Sequence, residues 1–388
     1  MGKKFSKKKN KNEDVAVKKH AYETSTNSEN NNNNVNDADG DEATTCLQTV
    51  HGDAINSIKI NPRINNPGNN NNNNNAFDEI YTCSDDKIAI LRKRDKNNNN
   101  KISIVRKWTG HKRAVNKIIQ GKNHVFTCSR DLTIKQWTKE SDDAVGTLEG
   151  HTLTISAISE KNDGTLLASG SRDTTVRVWD LATSKEIVRN TTSRNLVTCM
   201  QWLPQNSSTI VQGSEDLKLR LWDVRQGNVI KSTQTFSGYV YFPLCMSISD
   251  DGNRIMTGSK GFNGVGCEIR IWDLRMNKQC IELTGHQQDV KECYFIRGAN
   301  NILLTGSKDK TIRLWDIGKY NVEDNTTTNS TNCLLNEYRM YGDGAFTCMD
   351  VVNNNNDTNS VNVMYSIADM DGQPNTYVTE ISKVKDGL

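Results

Sequence analysis

The sequence predicts an all-β fold, built from repeated four-stranded units that close into a ring. Three observations carry this reading. A segment recurs: FTCSRDLTIKQW ends at Trp137, LASGSRDTTVRVWD at Asp180, VQGSEDLKLRLWD at Asp223 and LLTGSKDKTIRLWD at Asp316, with a looser copy, MTGSKGFNGVGCEIRIWD, ending at Asp273. Within the copies, TTVRVW and KTIRLW alternate branched apolar and polar residues, the period-2 pattern of a half-buried strand. Between the strands, SRD, SED and SKD supply turn-forming residues.

The spacing fixes the size of the unit. The tryptophans at 137, 179, 222, 272 and 315 are separated by 42, 43, 50 and 43 residues, and Gly-His pairs precede three copies, at Gly110-His111, Gly150-His151 and Gly285-His286. One four-stranded sheet of this length cannot bury both faces alone, so successive units must stack on one another. With a period of about 40–45 residues and the GH and WD signatures, the chain resembles the WD-repeat β-propeller family over roughly residues 44–384. The resemblance implies a seven-bladed propeller and an Asp–His–Ser/Thr–Trp hydrogen-bond chain in each complete blade.

Carried over residue by residue, that chain is Asp131, His111, Thr127 and Trp137 in blade 2. It is Asp173, His151, Ser169 and Trp179 in blade 3, and Asp309, His286, Thr305 and Trp315 in blade 6. Such a set resembles catalytic machinery, but its recurrence blade after blade marks it as structural, because a buried carboxylate needs partners. The other blades depart from the pattern. Blade 1 has His51, Thr82 and Asp86, with Arg92 in the tryptophan position; blade 4 has Asp216, Gln212 and Trp222 but no matching histidine; blade 5 keeps Trp272 without the Asp turn; blade 7, from about Gly342, is degenerate. The stretch CLQTVHGD (46–53) reads as an outermost strand that completes blade 7 from the N-terminal side, a closure that leaves no open sheet edge in the ring.

Two domains follow: a Lys/Asn-rich tail over 1–43, expected to be disordered, and the propeller over 44–388. Apolar residues make up only 35%, and asparagine tracts at 31–34, 69–75, 97–100 and 353–356 account for much of the shortfall. The insertions at 61–76, 95–100, 318–332 and 353–360 are loops joining strands a–b or c–d, which places them on one face, around blades 6, 7 and 1. The opposite face, formed by the d–a and b–c loops, stays compact and is the surface expected to meet partners. On it, GFNGVGCE (261–268) replaces the short turn of blade 5. A phosphate cradle would need a helix next, and the strand IRIWD follows instead. SRNLVTCMQW (193–202) opens blade 4 on the same face. Together with the MGK start, these two segments resemble the WD repeat-containing protein 31 family, whose animal members are associated with cilia and trafficking.

WDVR (222–225) is followed one blade later by WDLR (272–275). Substrate receptors of cullin-type ubiquitin ligases often carry this motif in successive blades. The resemblance implies that Arg225 and Arg275 grip the damaged-DNA-binding adaptor, a task that suits the planar guanidinium fork. The plainer reading pairs each arginine with an acidic neighbour. The ten cysteines form no CxxC pair, and Cys83 and Cys128 occupy matching strand positions, so buried thiols in a reduced setting are expected.

The net charge of +3 is unevenly placed: residues 1–20 carry eight lysines against Glu13 and Asp14, so the remainder is slightly acidic. Nucleic-acid binding by the body is therefore not expected. No apolar run is long enough to span a membrane or to form a signal-peptide core. The start MGKKFSKKKNK fits the N-myristoylation pattern, with Gly2 as acceptor and Ser6 as the hydroxyl residue. A single myristoyl chain binds membranes weakly, so Lys3, Lys4, Lys7, Lys8, Lys9 and Lys11 would supply the second signal on an anionic surface. A nuclear-localisation or nucleic-acid arm built on the same lysines is the rival reading, and an inert solvated end is the third. The expectation is a monomeric, non-enzymatic interaction scaffold without metal or cofactor, cytoplasmic and peripheral to the inner face of a membrane. A cullin-ligase receptor or a nuclear scaffold is the alternative.

Overall fold

The structure is a computed structural model of the chain. It describes residues 34–35, 44–47, 50–62, 77–94, 101–191, 196–204, 208–226, 232–320, 328–353, 360–369 and 372–382. Gly2, Ser6 and the lysines at 3, 4, 7, 8, 9 and 11 lie outside the described residues.

The described residues form seven antiparallel sheets, six of four strands and one of five. Blade 1 runs Ile55–Pro62, Phe77–Ser84, Ile88–Arg94 and Ile102–Thr109. Blade 2 runs Val115–Gln120, Val125–Ser129, Thr133–Trp137 and Gly146–Glu149, and blade 3 runs Ile155–Glu160, Leu166–Ser171, Thr175–Asp180 and Lys185–Thr191. Blades 4 and 5 follow with Val197–Trp202, Thr209–Ser214, Lys218–Asp223, Ser232–Phe236, then Pro243–Ile248, Arg254–Ser259, Ile269–Asp273 and Lys278–Leu283. Blade 6 runs Val290–Ile296, Ala299–Ser307, Thr311–Asp316 and Leu334–Arg339. Blade 7 takes Ala345–Asn353, Ser360–Ala368 and Pro374–Ser382 from the C-terminal end.

Its fourth strand is Thr44–Leu47, which pairs with the last strand through Thr45–Val378, Cys46–Tyr377 and Leu47–Thr376. A two-residue strand, Asn34–Val35, pairs in turn with Thr44–Leu47. The two ends of the chain therefore meet in one sheet. Asp350 of blade 7 clips this joint: its carboxylate accepts from Lys59 Nζ at 2.7 Å and from the Ile60 amide at 2.8 Å in blade 1.

The inner strands are buried on both faces, as in Val125–Ser129, Leu166–Ser171 and Thr209–Ser214, so the cores lie between blades. Blades 1 and 2 share Tyr81, Leu91, Trp108, Ile118 and Trp137. Blades 5 and 6 share Met256, Ile271, Val290, Leu303 and Trp315. Blades 7 and 1 share Met364, Val352, Ile55, Ile58 and Ile80, as any other neighbouring pair does. Each fully buried side chain of this size contributes roughly 1.5–3 kcal/mol.

Every innermost strand carries a bulge near its start, from Ile55/Ser57 in blade 1 to Phe346/Cys348 in blade 7. The residue within the bulge can tie its blade to the next. Asn56 donates to Val115 O at 2.9 Å, Asn116 to Ile155 O at 2.7 Å, and Ser156 to Val197 O at 2.5 Å.

All four insertions join a–b or c–d strands, so the connectivity sets them on one face; residues 63–76, 95–100, 321–327 and 354–359 within them lie outside the described residues. The 318–332 connection joins strands c and d of blade 6 and ends in a helical turn. Thr328–Cys333 is a short helix, held because Ser330 accepts the Thr284 amide at 3.1 Å and Cys333 is buried against the blade 5–6 core. All ten cysteines are free, with Cys83 and Cys128 fully buried.

Candidate interaction faces and the hydrogen-bonded blade tetrads

The compact face is built by the b–c turns and d–a loops, and the tetrads lie directly beneath it. In blade 3, Trp179 Nε1 donates to Ser169 Oγ at 2.8 Å, Ser169 Oγ is 2.8 Å from His151 Nε2, and His151 Nδ1 is 2.8 Å from Asp173 Oδ2. Blades 2 and 6 repeat the geometry through Trp137, Thr127, His111 and Asp131, and through Trp315, Thr305, His286 and Asp309. The indole donor fixes every proton along the chain. The hydroxyl must accept from tryptophan and donate to Nε2, so Nδ1–H donates to the carboxylate.

The carboxylate is saturated. Asp173 Oδ2 also accepts the Thr152 amide at 3.0 Å, while Oδ1 accepts the Thr175 amide at 2.9 Å and its hydroxyl at 2.6 Å. Thr133 and Thr311 serve Asp131 and Asp309 in the same way. These threonines are members of the network that the four-residue motif omits. Their signal was a threonine two places after each tetrad aspartate. Burial pushes the Asp131, Asp173 and Asp309 carboxyls up, but the histidine, threonine and amide donors outweigh it and hold all three well below the usual carboxylate range. Burial lowers the His286 imidazole pKa despite its aspartate, so it is neutral at pH 7. Both ring nitrogens of His151 and all four acceptor sites of the Asp173 carboxylate are thus occupied within the blade. Among the described residues, no group of three or more His, Cys, Asp or Glu could hold a metal ion.

The bonds also hold an awkward backbone. The residue after each turn aspartate sits in the left-handed region: Lys87 at φ 73°, Leu132 at 75°, Thr174 at 68°, Leu217 at 62° and Lys310 at 64°. None is glycine, and a β-branched residue such as Thr174 is rare there. In four of these turns, at Lys87, Leu132, Thr174 and Lys310, the aspartate side chain accepts the amide just beyond, which locks the turn.

The incomplete blades are repaired in different ways. Blade 1 has the His51–Asp86 and His51–Thr82 bonds at 2.8 and 2.9 Å, with Arg92 in the tryptophan position. Burial lowers the Arg92 pKa to about 10. Trp108, from the outermost strand, stacks between Tyr81 and Trp137 and fills the blade 1–2 joint.

In blade 4, Trp222 Nε1 donates to Gln212 Oε1 at 3.0 Å, and Arg220 binds Asp216 through both terminal nitrogens. The equivalent arginines of blades 3, 5 and 6 instead bind glutamates of the fourth strand, as Arg177–Glu186, Arg270–Glu282 and Arg313–Glu337. Arg220 faces Thr235 across the strands, so no carboxylate draws it outward and no histidine claims Asp216.

In blade 5, Tyr239 replaces the histidine. Its hydroxyl accepts from Trp272 Nε1 at 2.8 Å and lies 2.8 Å from Thr257 Oγ1. Sequence reasoning missed Tyr239, although Gly238-Tyr239 occupies the position of the Gly-His pairs. Gly238, Gly150 and Gly285 all adopt positive φ, at 111°, 156° and 148°. The turn itself is replaced by a short hairpin at Phe262–Val265, whose Asn263 and Gly264 have φ of 51° and 77°, as a two-residue hairpin turn requires.

Arg225 and Arg275 lie on the opposite face, at the starts of c–d connections. Each grips its own aspartate: Arg225 Nη2 to Asp223 at 2.6 Å and Arg275 Nη2 to Asp273 at 2.6 Å, with side chains 72% and 60% exposed. The structure thus gives both the acidic neighbour of the plainer reading and the same outward posture in consecutive blades. It does not bring the arginines together with the compact face.

Asp173→Ala is expected to destabilise the propeller by about 2–4 kcal/mol, because His151 and Thr175 lose a buried partner. The sign with pH follows from the lowered carboxyl pKa. The aspartate contributes fully above the ordinary aspartate pKa, and the contribution fades as pH falls through the native value, so the gap between wild type and variant narrows below about pH 4. Equal melting at pH 7 would refute the role. Tyr239→Phe should cost about 1–3 kcal/mol by leaving Trp272 Nε1 without its acceptor. Thermal melting checks this, and a variant as stable as wild type would show that the phenol is dispensable.

The family described as WD domain, G-beta repeat matches residues 102–138, 143–180, 230–273 and 277–316. The chain is similar to nuclear distribution protein nudF of Aspergillus niger, 26% identical over 48% of this chain and 46% of that protein. It is also similar to WD repeat-containing protein VIP3 of Arabidopsis thaliana, 28% identical over 47% of this chain and 58% of that protein. Protein FIZZY-RELATED 3 of Arabidopsis thaliana is 26% identical over 55% of this chain and 44% of its own length. The chain thus spans about half the length of the curated relatives it matches. Four segments that match the WD domain, G-beta repeat family thus lie within a seven-bladed β-propeller.

Proposed function

We propose that this propeller is a non-enzymatic protein-interaction scaffold, tethered to the inner face of a membrane by its N-terminal tail and presenting its compact face to partners. The observation that carries the scaffold is a set of exposed apolar side chains on the compact face; five others, Ile104, Val105, Val145, Ile187 and Met276, lie on outermost strands or c–d connections. Among the described residues, Leu153, Leu217, Val240, Tyr241, Phe262 and Val265 are exposed on the d–a and b–c loops of the compact face. These loops are fixed by hydrogen bonds, through the blade 3 tetrad beside Leu153, the Arg220–Asp216 pair beside Leu217 and the Gly261, Gly264 and Lys260 amides at the blade 5 hairpin, and a rigid surface loses little entropy on binding.

The tether rests on the MGKKFS start and the lysines that follow it. An acyl chain with a polybasic supplement makes a two-signal anchor. Trafficking or cilium-related work is supported by the segments at 193–202 and 261–268, which resemble the WD repeat-containing protein 31 family. Gly2→Ala keeps every lysine and is expected to move the protein from membranes to cytosol. Mass spectrometry of the mature N-terminus should find a myristoyl group on Gly2. A free or acetylated glycine with the protein in the nucleus would replace the tether with the nuclear reading.

A second reading is favoured by one specific observation, the matched exposed posture of Arg225 and Arg275. In that reading the chain is a substrate receptor of a cullin-type ubiquitin ligase. Arg225→Ala with Arg275→Ala should abolish co-purification of the propeller adaptor while stability changes by less than about 0.5 kcal/mol, since exposed ion pairs contribute little. Undiminished recovery of adaptor, or none with wild type, removes this reading.

A further inference from the structure

We propose that the neighbouring corners of blades 2 and 3 on the compact face bind a phosphorylated serine or threonine carried on an extended segment of a partner protein. This rests on the scaffold reading and names the chemistry of the partner.

Blades 1, 2, 3 and 6 each meet the compact face at a corner made by two residues. One is the second residue after the tetrad histidine on the incoming loop; the other is the first residue of the b–c turn. The serine before the turn ties them together. In blade 2, Ser129 Oγ lies 3.0 Å from Arg113 O, and the Arg130 amide donates to Ala114 O at 2.9 Å. In blade 3, Ser171 Oγ donates to Leu153 O at 3.0 Å, and the Arg172 amide donates to Thr154 O at 2.9 Å. Asn116 Nδ2 donates to Ile155 O at 2.7 Å, which joins the two blades just beside these corners. The same construction pairs Asp53 with Asp85 in blade 1 and Gln288 with Lys308 in blade 6. The scaffold thus leaves the corner residues free to vary. Blade 2 puts two arginines at one corner, and blade 3 adds a third beside Leu153, which is 52% exposed.

These cations lack close counter-ions. Lys112, Arg113 and Arg172 are exposed, and their side chains make no hydrogen bond or ion pair among the described residues. Arg130, with its side chain 53% exposed, reaches Asn116 Oδ1 only at 3.4 Å and Asp85 only at 3.5 Å. Main-chain bonds therefore hold like charges at one corner, and a multiply charged anion relieves their repulsion. The acids around them decide which anion. Asp131 and Asp173 lie beneath, with side chains only 6% and 3% exposed, and are saturated by the tetrads. Asp53 and Asp85 bound the cluster on the blade 1 side, Glu215 on the blade 4 side, and Glu149 is exposed at the end of the outermost strand of blade 2. A bilayer or a nucleic acid is broad enough to meet these carboxylates too, and it gains little from a field they offset. A phosphate monoester is small, carries about −1.5 to −2 charges and offers three strong acceptor oxygens, so it collects guanidinium forks directly. Leu153 supplies an apolar contact beside Arg172 for a residue next to the phosphate, which suits an extended peptide.

The test uses the full chain and three peptide libraries, with phosphoserine or phosphothreonine, glutamate, or unmodified serine at a fixed position. Binding is expected from the phosphorylated library alone, with apolar residues enriched beside the phosphate. By fluorescence anisotropy, an enriched phosphopeptide should lose about tenfold or more in affinity for Arg113→Gln with Arg130→Gln. It should lose several-fold for Arg172→Gln and for Leu153→Ser, with the arginine losses larger at low salt than at high. These side chains lie outside the core, so melting should stay near the wild-type value. If the double variant melts early, Arg113→Gln alone decides, because that side chain bonds to nothing among the described residues. Equal binding of the glutamate or unmodified library overturns the proposal, as does phosphopeptide binding that no arginine variant weakens. In both cases the scaffold reading survives, because the chain still binds protein segments. Arginine-dependent binding of inorganic phosphate, or of vesicles containing a phosphatidylinositol phosphate, with no peptide enriched, overturns it in favour of an anion site without a protein partner. Silence of all three libraries and of both anions also overturns it. Proteins still recovered by the wild-type chain, and lost with Phe262→Ser and Val265→Ser, would then keep the scaffold reading.

Discussion

The fold depends on one constraint: a four-stranded sheet that is apolar on both faces can be buried only by another like it. Each blade therefore lends one face to each neighbour, and the cores lie between blades, not within them. A row of blades would always leave two faces open. The joint between blades 7 and 1, with Met364 and Val352 against Ile55 and Ile58, removes that pair of open faces. Pairing Thr44–Leu47 with Pro374–Ser382 makes closure a matter of main-chain hydrogen bonds as well as apolar contact, because the last blade takes strands from both ends of the chain.

Closure sets the demand that the tetrads meet. Stacking buries the tryptophan indole of strand c, and its N–H needs an acceptor away from water. A hydroxyl on strand b accepts it, a histidine from the incoming loop accepts the hydroxyl proton, and an aspartate from the b–c turn accepts from the histidine. The chain ends at the surface, where the carboxylate gathers main-chain amides and holds a left-handed residue in each turn. One buried donor thereby dictates the shape of the exposed face. Where a blade lacks the histidine, the same need is met by other means: Tyr239 in blade 5, Gln212 in blade 4, and a change of partner by Arg220.

The two faces differ for the same reason. The d–a and b–c connections are tied by His–Asp pairs in blades 1, 2, 3 and 6 and stay short, while the longer blade 5 hairpin is tied to blade 6 through Gly264 and Gly261. The a–b and c–d connections carry no such obligation, and all four asparagine-rich insertions fall there. Arg225 and Arg275 lie on that freer face, each held by an aspartate two residues earlier. The compact face and the arginine pair thus lie on opposite sides of the ring.

Periodicity, the GH and WD signatures and the aspartate turns were enough to read the blades, their order and three complete tetrads directly from the residues. Those features are local, since a strand period, a turn residue or a fixed spacing is visible within a dozen positions. CLQTVHGD could be assigned to the last blade because a ring must close. What stayed hidden depends on which side chains meet across a blade. Tyr239 stands in the histidine position, yet its role depends on Thr257 and Trp272, 18 and 33 residues away. Arg220 turns to Asp216 because Thr235, opposite it, has no charge to offer. Phe262 and Val265 look like any apolar residues in the chain. Only the tertiary structure turns them outward, because the contacts that fix the hairpin come from residues 241, 287 and 289, on connections that the sequence does not join to it.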